Sequence, residues 1–452
     1  MATTTTAVEL QPAADRNVTR TTAAAANSSS TTYLTGDHHD DVMQASLVAD
    51  SEVPDGGYGW VVVCASAVLC FWFVGMNYCW GVFQAVLVQE GVSSASTLAF
   101  VGSLTTACIS FMAMLNARIF RKLGPRRSGL LGICLFSLGQ ILASFTTDNV
   151  AGLLVTVGLI MGIGGSLLFM VSSVTPTQYF KAKRGIANGI VFAGGGLGGA
   201  VISFAANGLL QAVGIAWTFR TLGLITLATG LPAAYLIQAR APILPTSFVE
   251  WRLFRDYRFV LIFVGGGLAT FPLFVPPFFL PLYAESLQMT STAGAGLVAA
   301  FNFSSAIGRL LCGFSSDKIG PLNTVFSSLM LSALSALALW PVSNSLGPLT
   351  VFVIINGMAN GGFFATMPTV VGNVFGSARV SVAMGMVVTG WGGGYLLGAP
   401  IAGYLLSASG GEKAGVDAFH PAIYYAGSMA LCSAGLMLLA RLGIDRRVMR
   451  KI

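Results

Sequence analysis

Charge is scarce in this chain. Asp, Glu, Lys and Arg make up 9% of its 452 residues, while 54% are hydrophobic. Soluble domains carry about a quarter charged residues. A soluble core of this size therefore lacks the shell it needs, and lipid is the solvent that fits the composition. Histidine is confined to His38, His39 and His420, all in polar stretches. The seven cysteines (Cys64, Cys70, Cys79, Cys108, Cys134, Cys312, Cys432) lie inside apolar runs. They have neither metal-ligand spacing nor the pattern of a disulfide framework, so no metal site is expected and they read as small residues facing lipid or a neighbouring helix. No cofactor is expected either. Gly194-Gly195-Gly196 and Gly392-Gly393-Gly394 sit within apolar runs and lack the lysine of a phosphate loop; close packing or bending explains them. Convergent catalytic groups and a nucleotide domain are absent, which argues against a membrane enzyme and an ATP-driven pump. The net charge of +7 does not imply nucleic acid, because the basic residues cluster in short loops between apolar runs.

What is abundant is small and apolar. Fifty-five glycines suit closely packed membrane helices. From Val61 onward, apolar runs recur, each near the roughly 20 residues that cross a bilayer as a helix. They fall at 61–83, 97–119, 128–146, 150–174, 186–209, 216–237, 259–283, 292–314, 322–340, 349–370, 381–405 and 422–441. Runs this long predict helices, since barrel strands are short and alternate. The fold class expected is all-α, with twelve transmembrane helices. Residues 1–54 are rich in Thr, Ala, Ser and Asp with no sustained apolar run, so they are expected to form a disordered tail. They lack the apolar core of a secretory signal. Asn17-Val18-Thr19 and Asn27-Ser28-Ser29 have the form of glycosylation acceptors, which stay bare in a cytosolic tail.

Basic residues crowd alternate loops: Arg118, Arg121, Lys122, Arg126 and Arg127; Lys181, Lys183 and Arg184; Arg240, Arg252, Arg255 and Arg258; Lys318; Arg379; and Arg441, Arg446, Arg447, Arg450 and Lys451. The opposite loops hold Glu90, Asp148, Glu285, Glu412 and Asp417, with Lys413 the only basic residue. Positive loops stay cytoplasmic, so both termini are expected in the cytosol, which agrees with an even number of spans. The polar stretch 238–257 reads as a cytosolic linker between 55–237 and 258–441, with a C-terminal tail at 442–452.

Those two halves repeat. Arg121-Lys122-Leu123-Gly124-Pro125 is answered by Asp317-Lys318-Ile319-Gly320-Pro321. Phe180, Arg184, Ala187-Asn188-Gly189 and Gly194 are answered by Phe375, Arg379, Ala383-Met384-Gly385 and Gly390. Gly124, Gly189 and Gly194 each find their counterpart at one constant shift. The repeat predicts two parallel six-helix bundles that rock about a midplane site.

The loop Gly313-Phe314-Ser315-Ser316-Asp317-Lys318-Ile319-Gly320 resembles the signature loop of the major facilitator superfamily. In the first-half copy Arg121 stands where that superfamily has Asp, so only the second-half latch carries over. Pro54-Asp55-Gly56-Gly57-Tyr58-Gly59-Trp60 opens the first span, and Tyr179-Phe180-Lys181-Ala182-Lys183-Arg184-Gly185-Ile186-Ala187-Asn188-Gly189 opens the fifth. Together they resemble the monocarboxylate transporter family over roughly residues 54–445. The low-complexity tail and short central loop resemble its fungal branch, whose substrates range from vitamins to secondary metabolites.

Arg309 lies within the eighth apolar run with Ser305, not a carboxylate, four residues before it. In the resembled family an arginine aligned here binds the substrate carboxylate, and a guanidinium suits that task; the competing reading pairs Arg309 with Asp317. Two family positions have changed. Tyr78 replaces a lysine of the first span, and Ser305 replaces an aspartate, with Asn302 the nearest polar alternative. The lost groups carry proton coupling in the family, and no other Asp, Glu or His falls deep in a span. Asn77, Asn360 and Trp391 complete the candidate substrate set, and Gln84, Asn356 and Tyr395 are further polar candidates; each is open to a helix–helix hydrogen bond instead. The candidate gating groups are Asp55, Arg184, Asp317 and Arg379. Asp55 is also readable as a helix cap, and Trp60 as an interfacial anchor.

The sequence therefore points to a secondary carrier, not an enzyme. Its expected partners are a small organic solute and the lipid bilayer, without nucleic acid. A plasma-membrane carrier of an organic anion or similarly sized metabolite leads, with efflux of a fungal secondary metabolite as one role for it; a vitamin or nutrient importer and a non-transporting sensor on a carrier fold are the alternatives.

Overall fold

The computed structural model describes residues 55–93, 95–240, 250–376, 380–411 and 414–444. The tail 1–54, residues 241–249 of the 238–257 linker, Arg379 and the end of the chain from 445 lie outside them. The described chain is almost wholly helical. In order, the helices are α1 (Tyr58–Gln89), α2 (95–123), α3 (125–143), α4 (150–174), α5 (184–213), α6 (215–236), α7 (257–286), α8 (Ser291–Ile319), α9 (321–339), α10 (Leu346–Phe375), α11 (380–408) and α12 (His420–Ile444). Ten stretches are separately long and apolar enough to span a bilayer, and a bent pair over 100–143 is another candidate. Within that pair the backbone leaves helical geometry at Gly124 (φ 79°, ψ 168°), so that Pro125 starts a new helix, and counting the two sides of this turn separately gives twelve spans among the described residues.

The glycine turns follow the sequence repeat. Gly124 and Gly320 both have positive φ (79° and 93°), and each precedes a proline. Gly214 (76°) and Gly410 (105°) form a second such pair at the same separation. Side chains with a Cβ resist this region of backbone space, so the repeat is kept where the chain reverses as well as where it packs. The glycine runs are packing faces, as expected. A methyl group on Gly194 would overlap the Ala67 backbone of α1, and one on Gly394 would overlap Thr270 of α7. Thus α1–α5 and α7–α11 are joined by equivalent close contacts in the two bundles.

Several spans are irregular among the described residues: α2 is interrupted at Met112 and α11 at Gly390–Trp391. α4 contains a π-helical stretch at Leu154–Met161, and α9 ends in another at Ser335–Leu339. α7 breaks at Phe274 between Tyr257–Leu273 and Val275–Ser286. Breaks of this kind survive in lipid only where other groups satisfy the freed backbone. The Asn360 side chain does so by donating to the Leu273 carbonyl (2.8 Å), and Asn356 donates to Ser335 Oγ (2.8 Å) at the α9 irregularity.

Candidate functional site

Helix α5 meets α8 along one antiparallel seam between the halves. On α5 the contact positions are Gly185, Gly189, Phe192 and Gly196; on α8 they are Asp317, Gly313, Arg309 and Ala306. Spacings of three and four residues keep each set on a single helical face. Small residues let the backbones touch: a methyl on Gly313 would strike the main chain at Gly185 and Gly189.

Asp317 closes one end of the seam. Its two oxygens accept from the backbone amides of Gly185 (2.7 Å) and Ile186 (2.8 Å), the first turn of α5. A carboxylate is favoured there, because free amides and the helix dipole both present positive charge. Asp55 serves the same helix start from its own half. Its Oδ1 accepts from the amides of Lys181 (2.7 Å), Ala182 (2.8 Å) and Lys183 (3.3 Å). The two sequence motifs that open the first and fifth spans therefore form one unit, with Trp60 packed edge-on against Phe180 (4.8 Å). Arg184 is buried and donates through Nη1 to Asn373 of α10 (2.9 Å), and Asn188 donates to Thr369 (2.9 Å). Both bonds cross between the halves.

At the inner end of this seam lies Arg309, 1% exposed. Its Nη1 donates to the Phe192 carbonyl (2.6 Å), and its Nη2 to the Tyr78 hydroxyl (2.9 Å). Nε is buried without a hydrogen-bond partner among the described residues. The glycine run admits the guanidinium to the main chain, since a Cβ at Gly195 would stand 3.0 Å from Nη1. Arg309 thus bonds to α1 and α5 of the opposite half, while Asp317 two turns away binds the α5 amides.

Arg309 edges a cavity where the two halves meet. Eight helices line it: Phe73, Val74, Asn77 and Tyr78 from α1, Thr106 and Ile109 from α2, Phe169 from α4, Phe192 from α5, Phe274 from α7, Phe364 from α10 and Tyr395 from α11 complete the wall. No Asp, Glu or His is among them.

Of the candidate substrate residues, the structure brings Arg309, Tyr78 and Asn77 to this cavity. Asn77 spends its Nδ2 on the Phe73 carbonyl (2.9 Å), leaving its carbonyl oxygen as the available group. The other four are placed elsewhere. Asn302 and Ser305 are buried on α8, and Asn360 supports the α7 break. Trp391 is fully buried behind the cavity wall, with its ring 6.0 Å from Phe169 and 6.2 Å from Tyr395. Of the gating candidates, Asp55, Arg184 and Asp317 converge on the start of α5; Arg379 lies outside the described residues. Sequence reasoning missed the aromatic wall. A Phe in an apolar run carries no mark that separates a cavity position from a lipid-facing one.

The sequence model of the Major Facilitator Superfamily matches residues 61–302 and 262–450. A protein named aspyridones efflux protein apdF, from Emericella nidulans, is 30% identical over 372 residues, covering 79% of this chain and 74% of its own. A monocarboxylate transporter 13 from Rattus norvegicus is 26% identical over 409 residues, covering 87% of this chain and 91% of its own. Among solved structures, the Major Facilitator Superfamily transporter FucP in its outward conformation superposes with a TM-score of 0.65 at 13% identity. That match covers 85% of this chain and 99% of FucP.

Proposed function

The chain belongs to the Major Facilitator Superfamily and is a multi-pass membrane transporter of small solutes; we propose that its solute is an organic anion and that Arg309 holds it. One observation carries this reading: a buried guanidinium at a cavity shared by both halves, with no carboxylate among its hydrogen-bond partners. An embedded cation is costly unless an anion or water serves it, and Nε is left without a hydrogen-bond partner among the described residues. The relatives' names agree in kind, one being an efflux protein and another a monocarboxylate transporter. Export of an acidic metabolite across the plasma membrane is the physiological role we infer.

The cycle follows from the seam. With Asp317 on the α5 amides and Arg309 on Phe192 and Tyr78, the halves are latched at the basic end. An incoming anion competes for the guanidinium and loosens the inner latch. Segments 55–237 and 258–441 then rock past one another, parting Gly185 from Gly313 and opening the basic end. Asp55, bonded within its own half, keeps the start of α5 ordered through the movement.

Coupling is the test of this mechanism. Because no lining residue is an acid or a histidine, transport of a fixed-charge anion by reconstituted protein should run down the anion's own gradient. Its initial rate should change less than about twofold when the pH gradient is collapsed. Tight one-to-one proton movement with that anion rejects the scheme.

Orientation gives a second test. Because basic loops stay cytoplasmic, both termini and the 238–257 linker are proposed to be cytosolic. Cysteine tags placed in the tail or the linker should resist impermeant thiol reagents in intact cells and react after permeabilisation. Labelling from outside would reverse the topology.

A further inference from the structure

We infer that the cavity selects flat aromatic or conjugated acids over aliphatic ones, a conclusion that rests on the anion reading above and narrows it. Seven of the twelve lining residues are aromatic, more than filling an apolar space requires, since leucine or valine buries as well. The rings form two clusters. On one side Phe274 lies 6.2 Å from Tyr78 and 5.8 Å from Tyr395; on the other, Phe169 lies 6.0 Å from Phe192. They come from helices of both halves, so the wall is assembled only when the halves meet.

Rings differ from aliphatic chains in offering a flat face with negative potential and an edge with positive potential. A flat guest gains both contacts, whereas a flexible chain gains only burial and loses rotamer freedom on binding. The cation adds direction. The Arg309 guanidinium carbon lies 5.8 Å from the Tyr78 ring centre and 5.5 Å from that of Phe364, so the cation sits near the faces of two rings. In an aromatic acid the carboxylate is conjugated with the ring and tends to lie in its plane. A carboxylate gripped by Nε and a neighbouring Nη therefore directs the attached ring into the space that the aromatic walls bound. A short acid such as lactate satisfies the guanidinium but leaves those walls uncovered.

Binding of naphthoate, octanoate and naphthamide to the purified full chain in lipid nanodiscs, measured calorimetrically, tests the inference. Naphthoate should bind about tenfold tighter than octanoate, and naphthamide, which has the rings without the charge, should bind weakly. Phe274→Leu and Phe364→Leu, which keep apolar bulk, should weaken naphthoate more than octanoate and so narrow the gap between them. If octanoate matches naphthoate while both depend on Arg309, aromatic selection is wrong and the anion reading stands. If naphthamide matches naphthoate, the anion reading fails and this inference falls with it.

Discussion

Arg309→Gln should nearly abolish transport while the protein still reaches the membrane. Among the described residues the guanidinium is the one cation on the cavity wall, and its Nε has no hydrogen-bond partner. Losing a hydrogen bond to a charged group costs about 1.5–3 kcal/mol, or roughly ten- to a hundredfold in affinity for the anion. Arg309→Lys keeps the charge but not the planar fork, and an ammonium cannot bond the Phe192 carbonyl, the Tyr78 hydroxyl and a substrate in one plane. It should also fall steeply. The Tyr78→Phe variant separates the two tasks of Arg309. It removes the bond from Nη2 without touching the charge, so it should loosen the empty carrier and leave anion affinity equal or higher. The competing account makes Arg309 a gate member working with Asp317. It requires that Asp317→Asn reproduce the Arg309→Gln defect, and that the double variant be no worse than either single one. A double-mutant cycle on transport rate per unit of surface protein decides between them. Unchanged substrate binding in the Arg309 variants, together with strong coupling to Asp317, would remove Arg309 from the substrate site.

Gly313→Leu should stop turnover by a different route, preventing closure of the seam. All the nearest atoms around Gly313 belong to the opposite half, at Gly185 and Gly189. A leucine there meets backbone, which cannot rotate away. Overpacking costs about 1–3 kcal/mol and more against a rigid neighbour, and at about 3 kcal/mol the closed form loses roughly a hundredfold in population. Its own bundle is not disturbed, so the protein should fold and insert. Gly308→Leu is the contrast: its neighbour is the Met358 backbone within the same half, so that variant should be lost to misfolding. Asn188→Cys, buried in the seam beside Thr369, reports the open form. Thiol labelling from the basic end should rise sharply in the Gly313→Leu background as transport falls. Normal transport by Gly313→Leu, or an Asn188→Cys that stays unreactive, would mean that the seam does not gate.

Several residues show why parts of this arrangement are legible in the sequence. A charge inside an apolar run is expensive, so Arg309 stands out without a structure. Positive-φ turns tolerate little besides glycine, so the Gly124–Gly320 correspondence marks equivalent reversals as well as equivalent text. Asp55 and Asp317 were visible as motif carboxylates, but their partners were not. Both bind backbone amides at the start of α5, and an amide has no signature in a sequence. Asn302, Ser305, Asn360 and Trp391 met the same polar criterion as Asn77 and Tyr78, yet only the latter pair lines the cavity. A helix places polar groups by rotation, and a few tens of degrees separate a cavity face from a packing face.

The sequence by itself determined the solvent, the helical class, the two-fold repeat and the arginine inside the eighth apolar run. Those follow from composition, run length and the cost of charge in lipid, which act on each segment separately. The tertiary structure decided which carboxylate meets which helix end, which polar residues reach the cavity, and that its wall is aromatic. Thirty phenylalanines are equally at ease against lipid, another helix or a solute, so only the assembly of both halves determines which of them face the site.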